Sequence, residues 1–206
     1  MRDCILGLFI MSLLLSCGEQ SKQEKIVVGE EVIEQKTALN KETNDFWNKL
    51  QTLCGKAFEG TLELPKNDED FGGKKLVMHI RSCSDNVIKI PFFVGDDKSR
   101  TWVLTLENDR ILLKHDHRHK DGTEDEITMY GGKTTNAGQS TIQIFPADEE
   151  TKNLIPAAST NVWWITLNDK EFTYNLRRLG TSRVFKVTFD LTKEIETPPA
   201  PWGWKD

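Results

Sequence analysis

The sequence predicts an all-β domain: an antiparallel up-and-down meander of ten short strands behind one short helix, closing into a barrel. Three observations carry this. Short strand-like runs follow one another with little interruption from residue 57 to residue 192. The clearest of them alternate apolar and polar side chains, which gives the sheet one dry and one wet face and favours antiparallel pairing. Turn-forming pairs, not helices, stand between most of them. A two-sheet sandwich is the second arrangement open to such a ribbon, but only closure removes every unpaired edge.

Taken in order, the chain opens with "MRDCILGLFIMSLLLSC": Arg2, then an apolar run from Cys4 to Leu15. A spanning helix needs about 20 apolar residues, so the run suits the core of a signal peptide instead. Residues 18–41 are rich in Glu, Gln and Lys and poor in aromatics, a composition that predicts a flexible stalk. Folding is expected to begin near Glu42. In "NDFWNKLQTLCG", Phe46, Leu50 and Leu53 recur at helical spacing with Trp47 and Cys54 beside them, and Gly55 is placed to end the helix.

The strand-like runs are "AFEGTLELP", "KKLVMHIRSC", "VIKIPFF", "RTWVLTLEN", "RILLKHDHRH", "DEITMYGG", "STIQIFP", "NVWWITLN", "EFTYNLRRLG" and "RVFKVTFDLT". Pairs such as Asn108-Asp109 and Asn168-Asp169 turn the chain between them. In the last run Phe185, Val187, Phe189 and Leu191 oppose Val184, Lys186, Thr188 and Asp190; in the one before, Phe172, Tyr174 and Leu176 oppose Thr173, Asn175 and Arg177. One segment breaks the pattern. "PADEETKNLIPAAST", residues 146–160, reads as a lid, a side plug or a surface crossover, with a short helix over 148–154. "MYGGKTTN" lacks the spacing of a phosphate-binding loop and reads as a turn.

Two stretches carry resemblances. "LLSC", residues 14–17, followed by Gly18, resembles the lipobox of bacterial lipoproteins. The resemblance implies a signal peptide over residues 1–16, lipidation of Cys17 and a tether over 17–41. It further implies a bilayer partner and a place in the bacterial envelope, on the extracytoplasmic side, at the outer membrane. "LCGKAFEG", residues 53–60, is similar to the short helix and first strand that open the calycin barrels of lipocalins and fatty-acid-binding proteins. Ala57 or Phe58 stands where that family has tryptophan, and Arg177 or Arg178 matches its late arginine. This implies one barrel domain over residues 42–206 that holds a small hydrophobic or amphipathic ligand.

With Cys4 in the signal and Cys17 lipidated, Cys54 and Cys83 remain, either as a disulfide or as two buried thiols. A net charge of -5 and the lack of a basic cluster argue against a nucleic-acid partner. Trp102, Phe172, Tyr174, Arg178 and Phe185 are the candidate ligand-lining residues. Arg178 shares the parity of Phe172 and Tyr174, so it either clamps a carboxylate inside or faces water at the rim.

"HDHRH" places His115, His117 and His119 on one strand face, about 6.7 Å apart in succession and about 13 Å end to end. A divalent metal held by His-x-His, with His79 or Asp121 as a further ligand, is one reading. A polar hairpin end, with Lys114, Asp116, Arg118 and Lys120 as a solvated ladder, is the preferred one. Trp202 and Trp204 in the Pro-stiffened tail are expected to cover whichever of Trp163 and Trp164 points outward, or to stack on sugar rings. No catalytic motif is legible, so the expected function is non-enzymatic ligand binding. A metal protein and a structural envelope contact protein are the alternatives.

Overall fold

Helix α1 spans Lys41–Gln51. Asn40 caps it by accepting the Glu42 N–H at 3.1 Å, and Glu42 lies where the helix dipole favours an acid. It therefore starts inside the segment expected to be stalk. It also stops four residues short of Gly55, which adopts a left-handed φ of 85° beyond a short turn. These are coordinates of a computed structural model that describes residues 40–205. The signal-like run, Cys17 and the stalk up to residue 39 lie outside the described residues, as does Asp206.

Eleven strands follow: β1 (Ala57–Leu64), β2 (Leu76–His79), β3 (Ser82–Cys83), β4 (Val87–Val94), β5 (Asp97–Glu107), β6 (Arg110–His117), β7 (Tyr130–Lys133), β8 (Ile142–Pro146), β9 (Asn161–Leu167), β10 (Glu171–Arg178) and β11 (Val184–Ile195). The count exceeds the expected ten because "KKLVMHIRSC" breaks into β2 and β3. All pair antiparallel in one sheet of order β7-β6-β5-β4-β2-β1-β11-β10-β9-β8, with β3 on β4. First and last strands, β1 and β11, pair directly, so the ribbon curls nearly into a closed barrel. Phe58, Met78, Ile90, Leu104, Leu113, Ile165, Phe172 and Phe189 fill it with essentially no exposure.

The open seam lies between β7 and β8, and the sequence is fitted to it. A Cβ on Gly132 would sit 1.7 Å from the Pro146 carbonyl oxygen, and one on Gly131 would sit 1.9 Å from that of Leu113. Only glycine allows those backbones to approach so closely. In "MYGGKTTN", Tyr130–Lys133 is thus strand, not turn, with Met129 a bend before it. A short helix, α2 (Glu149–Leu154), braces the seam: Thr151 Oγ1 accepts the Gly131 N–H at 2.6 Å and donates to the Gly131 carbonyl at 2.7 Å. Lys114, nearly buried, ties β6 to the same element through Asp148 (2.7 Å) and Glu150 (2.6 Å).

Every element contributes to one polarity of the barrel. Helix α1 closes one end. Its Phe46, Trp47 and Leu50 are buried, each worth about 1.5–3 kcal/mol of apolar transfer. Thr43 Oγ1 donates to the carbonyls of Asp109 and Ala137, Trp47 Nε1 donates to that of Asp85, and Lys49 pairs with Asp169. Those acceptors sit in the turns after β5, β7, β3 and β9. The connections after β1, β6, β8 and β10 gather at the other end. A disulfide joins Cys54, just after α1, to Cys83 on β3.

Three expectations about the outer surface are corrected. Lys114 and Asp116 are buried, not a solvated ladder, because α2 and Arg118 respectively take up their charges. Thr173 and Asn175 are buried as well: Thr173 bonds Thr166 at 2.6 Å, and Asn175 donates to Thr173 at 2.7 Å. The tail does not cover Trp164, the half-buried outward member of its pair. It runs instead along β4 to β6, where the Trp202 N–H meets the Lys98 carbonyl and Trp204 lies 5.2 Å beneath the Lys89 ammonium.

Candidate functional site

A cavity of about 180 Å³ opens at the barrel end opposite α1. Its inner wall is aromatic. Trp102 stands between Phe92 (centroids 4.8 Å) and Tyr174 (4.3 Å), both nearly parallel to it, with Trp163 and Phe185 alongside. The rim comes from the connections gathered there: Phe71 after β1, Ile127 after β6, Ile155 and Ala158 after α2, and Arg178 and Arg183 flanking the β10–β11 turn.

Polar side chains supply about half of the lining residues, and the roles of several can be assigned. The Tyr130 carbonyl oxygen can only accept, so His115 Nδ1 carries a proton and donates to it at 2.9 Å. Burial drives the His115 pKa down to about 3, helped by the charges of His117 and Lys114 and opposed by the Tyr130 bond. The ring is therefore neutral and its Nε2 bare, and the Tyr174 hydroxyl donates to that nitrogen at 2.6 Å. With its proton committed, Tyr174 offers the cavity lone pairs only. Burial raises the Tyr174 pKa well above the usual phenol value and that of Tyr130 to about 12. Both hydroxyls stay protonated. The Tyr130 hydroxyl lies 3.2 Å from His117 Nε2, and burial together with Arg100 lowers the His117 pKa.

Three arginines, Arg100, Arg178 and Arg183, line the cavity; among the described residues no Asp or Glu lines it, although the charges of Asp97 and Asp125 reach His117. Arg100 is matched by Asp97 and rests on the Phe71 ring at 5.4 Å. Arg178 gives its Nε proton to the Asn161 side-chain oxygen at 2.9 Å. Among the described residues neither Arg178 nor Arg183 has a carboxylate partner, and the Arg183 guanidinium has no hydrogen-bond partner.

Of the five expected ligand-lining residues, Trp102, Tyr174, Arg178 and Phe185 line this cavity together, while Phe172 packs in the core behind Trp102. Arg178 is half-buried at the rim and lines the cavity. The histidines separate. His115 and His117 line the cavity, which overturns the hairpin-end reading for His115; His119 lies beyond the end of β6 and is exposed. His79 sits on β2, three strands from β6. Both ring nitrogens of His115 are already hydrogen-bonded, and among the described residues no three His, Cys, Asp or Glu side chains are grouped to hold one ion.

Sequence reasoning missed Arg100, Arg183 and Tyr130. For Arg183 a signal was present: it shares the parity of Phe185, Val187 and Phe189, so strand alternation already pointed it inward.

The buried imidazole makes an acid-sensitivity prediction. Unfolded, His115 takes up a proton as pH falls through about 6.5; folded, it resists until about 3. A lowered base pKa contributes stability that is complete above 6.5 and is lost between 6.5 and 3. The steepest loss from one such group is about 1.4 kcal/mol per pH unit. His117 and His79, also lowered, act with the same sign. Urea unfolding followed from pH 7 to pH 4 should show a shallower loss in His115→Gln than in the parent chain, and equal slopes would contradict the assignment.

Compared with protein-family models, curated proteins and solved structures, the chain matches none.

Proposed function

We propose that the domain is a binding protein that holds a small, partly apolar ligand inside its barrel. The ligand enters at the end opposite α1. The observation that supports this is the cavity itself: an aromatic inner wall, convergent polar groups and an open mouth, features that small-molecule sites share. At about 180 Å³ it is smaller than the roughly 300–1,000 Å³ of drug-sized sites, which favours a compact ligand over a long acyl chain. Tethering through a lipidated Cys17 belongs to the same reading and rests on "LLSC" alone. Two lipid chains would hold the domain stably at a bilayer, so diffusion of ligand to a fixed receptor is the mode of action that follows.

Mass spectrometry of the gently ionised native protein tests the binding reading. The expected result is a small-molecule mass carried by the folded chain and released on denaturation. A bare-chain mass, together with unchanged indole fluorescence on adding small aromatic compounds, would contradict it. Cys17→Ser should move the protein from the membrane fraction to the soluble one.

A further inference from the structure

We infer that the ligand is a small aromatic carboxylate that also carries a hydrogen-bond donor on its ring. This inference rests on the binding reading above and names the ligand's chemical class. Three independent features of the cavity each specify one part of the molecule.

The first is charge. Arg178 and Arg183 flank one turn, face one cavity and have no carboxylate partner among the described residues, and no acid lines the cavity. Guanidinium groups left in this state next to apolar surface favour an anion, and their forked N–H groups match a carboxylate's two oxygens. Arg100 is not part of this set, because Asp97 already answers it.

The second is shape. The inner wall is a ring stack: Phe92, Trp102 and Tyr174 lie face on face within 17° of parallel in succession and line the cavity together with Trp163 and Phe185. Planar rings meet such walls in offset or edge contacts that add to simple burial. The cavity volume admits one ring with a short side arm rather than an extended chain.

The third is the direction of one hydrogen bond. Because the Tyr174 proton is held by His115 Nε2, Tyr174 presents an acceptor to the cavity. A bare aromatic ring would leave that lone pair unmet in a buried place, whereas a phenolic or ring N–H donor would satisfy it.

Calorimetric titration of the native chain with three probes separates these features: 4-hydroxyphenylacetate, its uncharged amide, and phenylacetate. 4-Hydroxyphenylacetate should bind at least about tenfold more tightly than the amide, which is one charge-assisted contact's worth. In the Arg178→Gln, Arg183→Gln double variant the acid and the amide should bind equally. Phenylacetate should bind about tenfold more weakly than the hydroxylated acid, and Tyr174→Phe should erase that difference. Both variants change rim or hydroxyl groups only, and unfolding midpoints close to the parent's would certify them as folded. Equal binding of acid and amide to the parent chain overturns the inference while leaving the binding reading in place. If none of the three binds but the native protein carries a small molecule, the inference again falls alone. If none binds and the native mass is that of the bare chain, both fall.

Discussion

Replacing Trp102 by alanine is expected to remove about 3–5 kcal/mol of folding stability, the range for truncating a large buried aromatic. The side chain is 3% exposed and sits between two nearly parallel rings, Phe92 on β4 and Tyr174 on β10, so it bridges the barrel from wall to wall. Its loss would leave both rings facing a void that the closed sheet cannot collapse to fill. Trp102→Phe restores part of the contact and should recover roughly half of the deficit. Trp204→Ala, on the outside of the sheet, should cost no more than about 1 kcal/mol. Urea unfolding of the three variants checks this ordering, and a Trp102→Ala cost below that of Trp204→Ala would contradict the packing described.

Removing the disulfide is the second large effect. Cys54 and Cys83 are 29 residues apart, and closing a loop of that length stabilises the fold by roughly 3–4 kcal/mol in the chain-entropy treatment. The bond anchors the turn leaving α1 to β3, so it holds the plug on the barrel's closed end. For a domain whose total stability is about 5–15 kcal/mol, the loss is a large share. A Cys54→Ser, Cys83→Ser chain should therefore unfold at markedly lower urea, with the α1 amides exchanging with solvent well before those of β5 and β6. A midpoint unchanged within error would contradict it.

The strand meander was legible because alternation is a local property. Trp163, Ile165 and Leu167 face inward on β9, and Phe185, Val187 and Phe189 do so on β11, as period two requires. The hairpin turn at Asn108-Asp109 even fixes the Trp102–His115 pairing across β5 and β6. Legibility ended where a second layer covers the sheet. Lys114, Asp116, Thr173 and Asn175 sit on the face that alternation assigns to water, and only the fold shows that α2, Arg118 and cross-strand partners take up their polar groups. The cavity was half visible. Of its strand-borne wall, Trp102, Tyr174 and Phe185 were found and Phe92, Arg100 and Tyr130 were not; its rim comes from loops, and Phe71, Ile127, Ile155 and Ala158 have no periodicity to betray them. His115 was misjudged for a different reason. Its strand passes from the core to the rim and ends at His117, so His115, His117 and His119 meet three different environments.

Six tryptophan indole N–H signals provide the most direct test, because they mark different parts of the molecule. Trp102 and Trp163 line the cavity, Trp47 lies on α1 at the other end, Trp164 faces outward, and Trp202 and Trp204 lie along the outside. On titration of the native chain with p-cresol, a compact and partly apolar compound, nuclear magnetic resonance should show shifts at Trp102 and Trp163 with Trp47, Trp202 and Trp204 still. Shifts confined to the tail tryptophans, or none at Trp102 and Trp163 at saturating p-cresol, would contradict a ligand cavity at the arginine end of the barrel.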